Sequence, residues 1–168
     1  MDDFICKIVV LDDDPTGIQT VNGVSVYTDW SEKSIREGFS EKNNLFFLLT
    51  NSRAMTEEET IATHRLIGER VVKASRESGI PFLIISRGDS TLRGHYPAET
   101  ETLRRTIEQV SDIRYDGEVI CPFFPQGGRY TSGNIHYVSD GGRLIPAGET
   151  EFARDKTFGY KNSPLGKW

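Results

Sequence analysis

Residues 9–17 read VVLDDDPTG, an apolar run followed directly by three aspartates and a Pro-Thr-Gly turn. The apolar run extends back to Phe4, and its content of β-branched side chains predicts a buried β-strand. Pro15 and Gly17 predict the turn that ends this strand. Asp12–Asp14 therefore lie at the carboxyl end of a strand, either as the polar start of a surface turn or as a functional group.

Short apolar segments of similar composition recur along the chain and predict five strands: 4–11, 24–28, 45–50, 82–86 and 119–121. Several are continuously apolar, which is typical of strands covered on both faces. A capping box at 56–59 predicts a helix over 57–78, and Pro97 predicts the start of a second helix that continues to Val110. Strands that alternate with helices predict an α/β fold, a three-layer α/β/α arrangement around a mainly parallel sheet.

Beyond Cys121 the pattern changes to glycine, proline and short apolar pieces. The segment 135–146, IHYVSDGGRLIP, predicts a β-hairpin with Asp140 and Gly141 in its turn. We therefore expect a small hairpin region at the C-terminal end of the chain.

Length and charge narrow the function classes. With 168 residues, 36% of them apolar, we expect a single domain over 1–168. The net charge is −5 and no window concentrates lysine and arginine, so a nucleic acid is not the expected partner. The early apolar run is interrupted by Lys7 and is too short for a signal sequence or a membrane span, so we expect a cytoplasmic protein without a membrane partner.

Polar and charged residues collect in the loops that follow the predicted strands. In an open α/β sheet, ligands bind at the carboxyl ends of the strands, so these loops are expected to share one edge. Arginine forks bind carboxylate or phosphate, and carboxylates accept hydrogen bonds from sugar hydroxyls. We therefore predict a site for a small polyhydroxy acid. The candidate residues are Asp12, Asp13, Asp14, Thr16, Arg53, Arg87, Ser90, Thr91, Arg93 and Arg129.

The same residues are suited to bind the hydroxyl acceptor of a phosphoryl transfer. An aspartate can orient or deprotonate a hydroxyl acceptor, while the donor phosphates need cationic groups or Mg²⁺. The chain has no GxxxxGK[ST] loop, and neither of its glycine pairs, at 127–128 and 141–142, fits GxGxxG. His95, which follows Arg93 and precedes a predicted helix, is a further candidate for contact with an anion. The pattern indicates an acceptor site without a donor site and without a resident metal.

Five ordered segments resemble the N-terminal domain of the four-carbon acid sugar kinases, the family that includes D-threonate and D-erythronate kinases. They are LDDDPTGIQTVNGV at 11–24, LLTNSRAMTEEE at 48–59, SRGDSTLRGHYPAET at 86–100, CPFFPQGGRYTSGNIHYV at 121–138 and TEFARDKTFGYKNSPL at 150–165. The resemblance implies that this domain binds the sugar acid, and that a C-terminal domain supplies ATP and Mg²⁺. It also implies that phosphate goes to a hydroxyl of the acid. The substrate residues it implies are an aspartate of 12–14, Arg53, Arg87, Asp89, Ser90, Thr91 and Arg93.

The resemblance covers essentially the whole chain, so we expect the nucleotide-binding domain to lie outside it and the chain alone to be inactive. Two alternatives stay open. One is a haloacid-dehalogenase-like phosphatase, because Asp12, Asp14 and Thr16 fit its DxDxT pattern, although no suitably placed lysine follows. The other is a non-catalytic module that binds a sugar acid or pairs with a separate nucleotide-binding chain. The oligomeric state is open, with a homodimer as one alternative.

Overall fold

The computed structural model describes residues 6–17 and 21–168, which form two compact units. The parallel-sheet unit contains the described residues of 1–87 together with 95–116, and the antiparallel-sheet unit contains 88–94 and 117–168. Phe4 and Ile5, with which the first predicted strand begins, lie outside the described residues. The expectation of a single domain over the whole chain stays a prediction.

Four parallel strands form the larger sheet, in the order β2-β3-β1-β4. They are β1 (Lys7–Asp12), β2 (Ser25–Tyr27), β3 (Leu45–Leu49) and β4 (Phe82–Arg87). The register sets Asp12, the last residue of β1, beside Leu49 of β3 and Arg87 of β4. Four of the five predicted strands are thus confirmed, and because they are parallel, all four end at the same edge of the sheet.

Three helices complete this unit: α1 (Glu32–Ser40), α2 (Glu57–Ser78) and α3 (Ala98–Val110). The predicted bounds of α2 are confirmed, and so is its capping box. The Thr56 side chain accepts a hydrogen bond from the backbone N–H of Glu59, and the Glu59 side chain accepts one from the backbone N–H of Thr56. Gly79 ends α2 in the left-handed conformation, with φ 69°. The helix predicted from Pro97 onward is also confirmed, with Pro97 as the residue just before its first turn.

Sequence reasoning missed α1, although its signals are present. Ser31 caps the helix by accepting a hydrogen bond from the backbone N–H of Ser34. Ile35 and Phe39, one turn apart, are fully buried in the core. The helix is only nine residues long, so its apolar stripe contains too few positions to stand out as a period.

The main core lies between these helices and one face of the parallel sheet. The strands contribute Val9, Leu11, Phe46, Leu48 and Phe82, and the helices contribute Ile35, Phe39, Ile67, Val71, Val72, Ala74, Leu103 and Ile107. The continuous apolar run in β4 does not mean burial on both faces, since Leu83 is 59% exposed and Ile85 is 46% exposed. These two side chains point away from the face that carries Phe82, because neighbouring residues of a strand alternate between its faces.

The antiparallel-sheet unit contains three strands, β5 (Arg129–Ser132), β6 (Ile135–Asp140) and β7 (Arg143–Pro146). The predicted hairpin is confirmed, but Asp140 pairs with Arg143, so the two turn residues are Gly141 and Gly142. Both have positive φ, 54° and 81°, as a two-residue hairpin turn requires. The chain therefore has a mixed α/β fold, with a four-stranded parallel sheet and a separate three-stranded antiparallel sheet.

The predicted strand at 119–121 is wrong, because the structure forms none there and Val119 is 92% exposed. Pro122 follows at once, has no backbone N–H to donate and restrains the residue before it. Three apolar residues without a partner strand do not form sheet. In the part of the chain that the structure describes, no helix is long and apolar enough to cross a membrane.

Candidate functional site

Backbone hydrogen bonds bring the loops after β1, β3 and β4 together. The N–H of Asp13 donates to the carbonyl of Arg87 at 3.2 Å, and the N–H of Arg53 donates to the carbonyl of Asp13 at 3.3 Å. The N–H of Thr50 donates to the carbonyl of Asp12 at 2.9 Å. Residues far apart in the chain are therefore adjacent at this edge, as the sequence predicted for this unit.

The side chains of this edge form what we term the carboxylate–arginine cluster, made of Asp12, Asp13, Asp14, Arg53 and Arg87. Arg53 binds Asp13 through two parallel bonds, Nε to Oδ2 at 3.0 Å and Nη2 to Oδ1 at 2.9 Å. Its Nη1 lies 3.2 Å from Oδ2 of Asp14. Nη1 of Arg87 lies 3.1 Å from Oδ1 of Asp12 and 3.7 Å from Oδ1 of Asp13. Three carboxylates thus share two guanidinium groups.

The three aspartates have different environments. Burial raises the pKa of Asp13 to about 7, against the opposing effect of Arg53. Burial also raises the pKa of Asp12, whose nearest cation is Arg87. Asp14 is partly exposed, and hydrogen bonds from Thr16 hold its pKa below the usual range. The cluster therefore combines two carboxyl groups whose pKa values are raised with one whose pKa is lowered.

Asp12 also has an oxygen without a partner. Among the described residues, Oδ2 of Asp12 is buried and makes no hydrogen bond. Gly17 packs directly over this carboxylate, and a Cβ at that position would overlap both Asp12 oxygens and Nη1 of Arg87. The turn predicted from Pro15 and Gly17 thus closes over the Asp12–Arg87 pair, and only glycine fits there.

Glu99 supports the cluster, and sequence reasoning missed it. This buried residue lies in the first turn of α3. Its Oε1 accepts a hydrogen bond from Ser52 Oγ at 2.7 Å, and its Oε2 accepts one from Ser86 Oγ at 3.2 Å. Glutamate is common in the first turn of helices that face solvent, so nothing in the sequence around Glu99 indicates that this residue is buried.

His95 belongs to the parallel-sheet unit, where its Nε2 lies 2.9 Å from the carbonyl oxygen of Met55. The predicted contact between His95 and an anion stays a prediction. His64 is buried within α2, and its Nδ1 lies 2.8 Å from the carbonyl oxygen of Thr60. Burial lowers the pKa of His64, as expected for a packing residue rather than a surface one.

In the antiparallel-sheet unit, Asp89 organises the loop Gly88–Gly94. Its Oδ2 accepts hydrogen bonds from the backbone N–H of Thr91 at 3.1 Å, from the Thr91 hydroxyl, and from Nε of Arg93 at 2.9 Å. Arg93 Nη1 also lies 3.7 Å from Oδ2 of Asp155. The bond to Asp89 is the largest influence that raises the pKa of Arg93. Three predicted residues of the SRGDSTLRG motif are therefore in mutual contact.

Two residues outside that motif hold the same loop. The ring of His136 is buried, with Nε2 2.9 Å from the carbonyl oxygen of Ser90. The hydroxyl of Tyr160 donates to the carbonyl oxygen of Thr91 at 2.7 Å. Sequence reasoning assigned neither residue a role, because these contacts cross 46 and 69 residues of chain.

Arg93 and Arg129 share an aromatic partner in this unit. Their guanidinium carbons lie 5.3 and 5.4 Å from the centre of the Phe152 ring. Nη1 of Arg129 donates to the carbonyl of Gly127, while its buried Nε makes no hydrogen bond among the described residues. Cation–π contacts of this kind leave the edges of a guanidinium able to bind an anion.

The fold and this geometry can be compared with known proteins. The model of the family described as "Sugar-binding N-terminal domain" matches residues 8–168. Among curated proteins, none matches this chain.

Two solved structures with similar folds are crystal forms of a Bordetella bronchiseptica protein described as a domain of unknown function, DUF1537, a domain-swapped dimer with bound citrate. One has a TM-score of 0.68 at 25% identity over 95% of this chain, and the other has 0.70 at 25% identity over 96%. The chain spans 39% and 40% of the length of these two structures. The match over residues 8–168, together with this structural likeness, shows that the chain belongs to the sugar-binding N-terminal domain family.

Proposed function

We propose that this chain is the substrate-binding part of an ATP-dependent kinase that phosphorylates a hydroxyl of a four-carbon sugar acid such as threonate or erythronate. The observation that carries the proposal is the carboxylate–arginine cluster at the carboxyl edge of the parallel sheet, in a member of a sugar-binding family. The citrate bound to the Bordetella bronchiseptica protein supports it, since citrate is itself a hydroxy acid.

The cluster contains both the cations that can bind the carboxylate of a sugar acid and a carboxylate that can bind its hydroxyls. Arg87, Arg53 and Asp14 are its partly exposed members, with side chains 32%, 20% and 24% exposed. Guanidinium N–H groups that face solvent can bind the carboxylate of the acid, and Asp14, which stays ionised, can accept hydrogen bonds from its hydroxyls. These three residues are the proposed ligand contacts in the parallel-sheet unit.

The base that removes the hydroxyl proton is proposed to be Asp12 or Asp13. A general base works best when its pKa lies near the working pH, and burial raises the pKa of Asp13 to about 7. Burial raises the pKa of Asp12 as well, and its Oδ2 has no competing partner among the described residues. The lowered pKa of Asp14 makes that carboxylate the weakest base of the three.

The phosphate donor is proposed to bind to a different part of the enzyme. Among the described residues, no group of three histidine, cysteine or acidic side chains is arranged to hold a metal ion. The glycine pairs lie in a single 3₁₀ turn and in a hairpin turn, neither of which opens a helix as a phosphate loop does. We therefore propose that ATP and Mg²⁺ bind to a separate nucleotide-binding domain. The solved structures similar to this chain are longer, and the chain spans 39% and 40% of their length.

Isothermal titration with D-erythronate, D-threonate and citrate tests the binding role. The wild-type chain is expected to bind at least one acid, and Arg87→Ala is expected to weaken that binding about tenfold or more, the loss of one charge-assisted contact. Arg36→Ala is the matched control, because Arg36 lies outside the cluster and forms an exposed pair with Glu77. No binding of any acid by a folded wild-type chain would overturn the proposal.

Activity assays separate the kinase part from the alternatives. With ATP, Mg²⁺ and the best-bound acid, the 168-residue chain is expected to show no phosphoryl transfer until a nucleotide-binding domain of the family is added. A non-catalytic module would bind the acid and stay inactive after that addition. A phosphatase of the haloacid dehalogenase type would instead release phosphate from an aryl phosphate, and Asp12→Asn would abolish that release.

A further inference from the structure

Two serines in the parallel-sheet unit stand directly before the two arginines of the carboxylate–arginine cluster. Ser52 precedes Arg53 in the loop after β3, and Ser86 precedes Arg87 at the end of β4. Both serine hydroxyls donate to Glu99, one to each carboxylate oxygen, at 2.7 and 3.2 Å. A single side chain on α3 thus connects the two segments that present the cluster's cations.

The chemistry of the contact favours a carboxylate. Glu99 is buried, with 6% of its surface exposed, and a buried carboxylate is stable only when its oxygens accept hydrogen bonds. A carboxylate has an acceptor oxygen for each serine, whereas an amide has one oxygen and would have to donate to the second serine. Its place in the first turn of α3 also favours a negative charge, because backbone N–H groups there are unpaired within the helix.

The consequence concerns where the guanidinium groups lie. Ser52 is fully buried, so its hydroxyl bond to Glu99 fixes the backbone from which Arg53 extends. Ser86 directly precedes Arg87 at the end of β4, and its hydroxyl bond to Glu99 fixes the backbone from which Arg87 extends. We infer that Glu99 is a positioning residue, which sets the spacing of Arg53 and Arg87 and so shapes the cluster for an acidic ligand. The effect on ligand binding rests on the proposed function, whereas the positioning itself does not.

The first test needs no ligand. Nε of Arg53 donates to Asp13 Oδ2 at 3.0 Å, so its N–H proton should exchange slowly with water in ¹H–¹⁵N spectra of the full chain. Glu99→Ala is expected to speed this exchange at least about tenfold, whereas Glu99→Gln, which keeps a polar contact to each serine, should change it by less than about threefold. Glu101→Gln is the matched control, because Glu101 lies on the same helix and pairs with Arg104 at the surface.

A second readout tests whether the charge of Glu99 acts on the cluster that it adjoins. The negative charge of Glu99 contributes to the raised pKa of Asp13. A ¹³C titration of the Asp13 carboxyl should therefore shift to lower pH in Glu99→Gln and stay unchanged in Glu101→Gln. An unchanged titration in Glu99→Gln would mean that no charge at residue 99 acts on Asp13, and would contradict the close placement of Glu99 against the cluster.

The outcomes are decisive in each case. A folded Glu99→Ala chain with wild-type exchange at Arg53 would overturn the inference. If that variant does not fold, the double variant Ser52→Ala/Ser86→Ala removes the same two bonds with little change in volume, and wild-type exchange there would overturn it equally. Affinity for the best-bound acid is expected to fall about tenfold in Glu99→Ala. If the wild type binds no acid, the proposed function fails while the exchange data still decide the role of Glu99.

Discussion

Arg53 and Asp13, which lie 40 residues apart in the chain, form a bidentate ion pair with N···O distances of 2.9 and 3.0 Å. The side chain of Asp13 is 3% exposed, so its charge depends on this arginine for compensation. Loss of Arg53 would remove both of these hydrogen bonds from the buried Asp13 carboxyl group and leave Arg87, at 3.7 Å, as the remaining cation of the cluster beside it.

Arg53→Ala is therefore expected to lower the free energy of unfolding by about 1–3 kcal/mol, the usual cost of leaving buried acceptor oxygens without their hydrogen bonds. Arg53→Lys keeps the charge but cannot make two parallel bonds, so it should fall between this variant and the wild type. Urea denaturation monitored by circular dichroism measures both. Arg36→Ala is the control, since its exposed pair with Glu77 should contribute less than about 1 kcal/mol. Equal losses in Arg53→Ala and Arg36→Ala would contradict the prediction.

The pKa of Asp13 predicts a pH dependence of stability. The folded chain retains the Asp13 proton up to about pH 7, whereas the unfolded chain releases it near the ordinary aspartate value of about 4. Between these values the folded state binds more protons, so its stabilising contribution is complete below about pH 4 and is lost as the pH rises through about 7. Relative to Asp13→Asn, the wild type should thus lose stability over this range, by at most about 4 kcal/mol. Urea titrations at intervals from pH 4 to 8 measure the difference, and a constant difference would refute the assignment.

Gly17→Ala tests the close packing over Asp12. The added methyl group would overlap the Asp12 carboxylate and Nη1 of Arg87, so one of them must move. We expect a loss of about 1–3 kcal/mol in the free energy of unfolding, together with weaker acid binding. Gly117→Ala is the matched control, because a Cβ there would meet nothing within 4 Å. A Gly17→Ala chain as stable as the control would show that the turn does not close over Asp12.

The capping box of α2 makes a separate prediction. Thr56→Ala removes the side-chain acceptor for the N–H of Glu59 and is expected to cost about 1 kcal/mol of unfolding free energy. Thr56→Ser keeps a hydroxyl at the same place and should restore most of that loss. Thermal unfolding of the two variants in parallel gives the answer, and identical midpoints would argue against a stabilising cap.

Tyr160→Phe tests how the Gly88–Gly94 loop is held. The variant removes the hydroxyl that donates to the carbonyl of Thr91, a bond with an expected value of about 0.5–1.5 kcal/mol. Amide hydrogen exchange at Thr91 and Arg93 should become faster. Tyr137→Phe is the control, since Tyr137 lies in β6, outside the Gly88–Gly94 loop. Unchanged exchange in Tyr160→Phe would mean that Asp89 and His136 suffice to hold the loop.

Local signals in the sequence were enough to predict the α/β class, the long helix α2 and the position of the aspartates at the end of β1. These features depend on local signals: apolar runs, a capping box at 56–59 and a Pro-Gly turn. Such signals involve neighbouring residues, so they can be read without the fold. The family resemblance drawn from the motifs is confirmed for the same reason, since motif spacing is a property of the chain.

Contacts between distant segments set which charges pair and which residues support them. The register of β1 against β3 and β4 sets Asp12 beside Arg87, and nothing local in either segment specifies that partner. Glu99 and Tyr160 reach their partners across 47 and 69 residues, so their neighbours in sequence give no sign of their roles. Leu83 is likewise exposed because it lies on the face of β4 opposite to that of Phe82, whereas its apolar run predicted burial. Local sequence specifies which elements form and where their polar ends lie, but packing specifies what those ends contact.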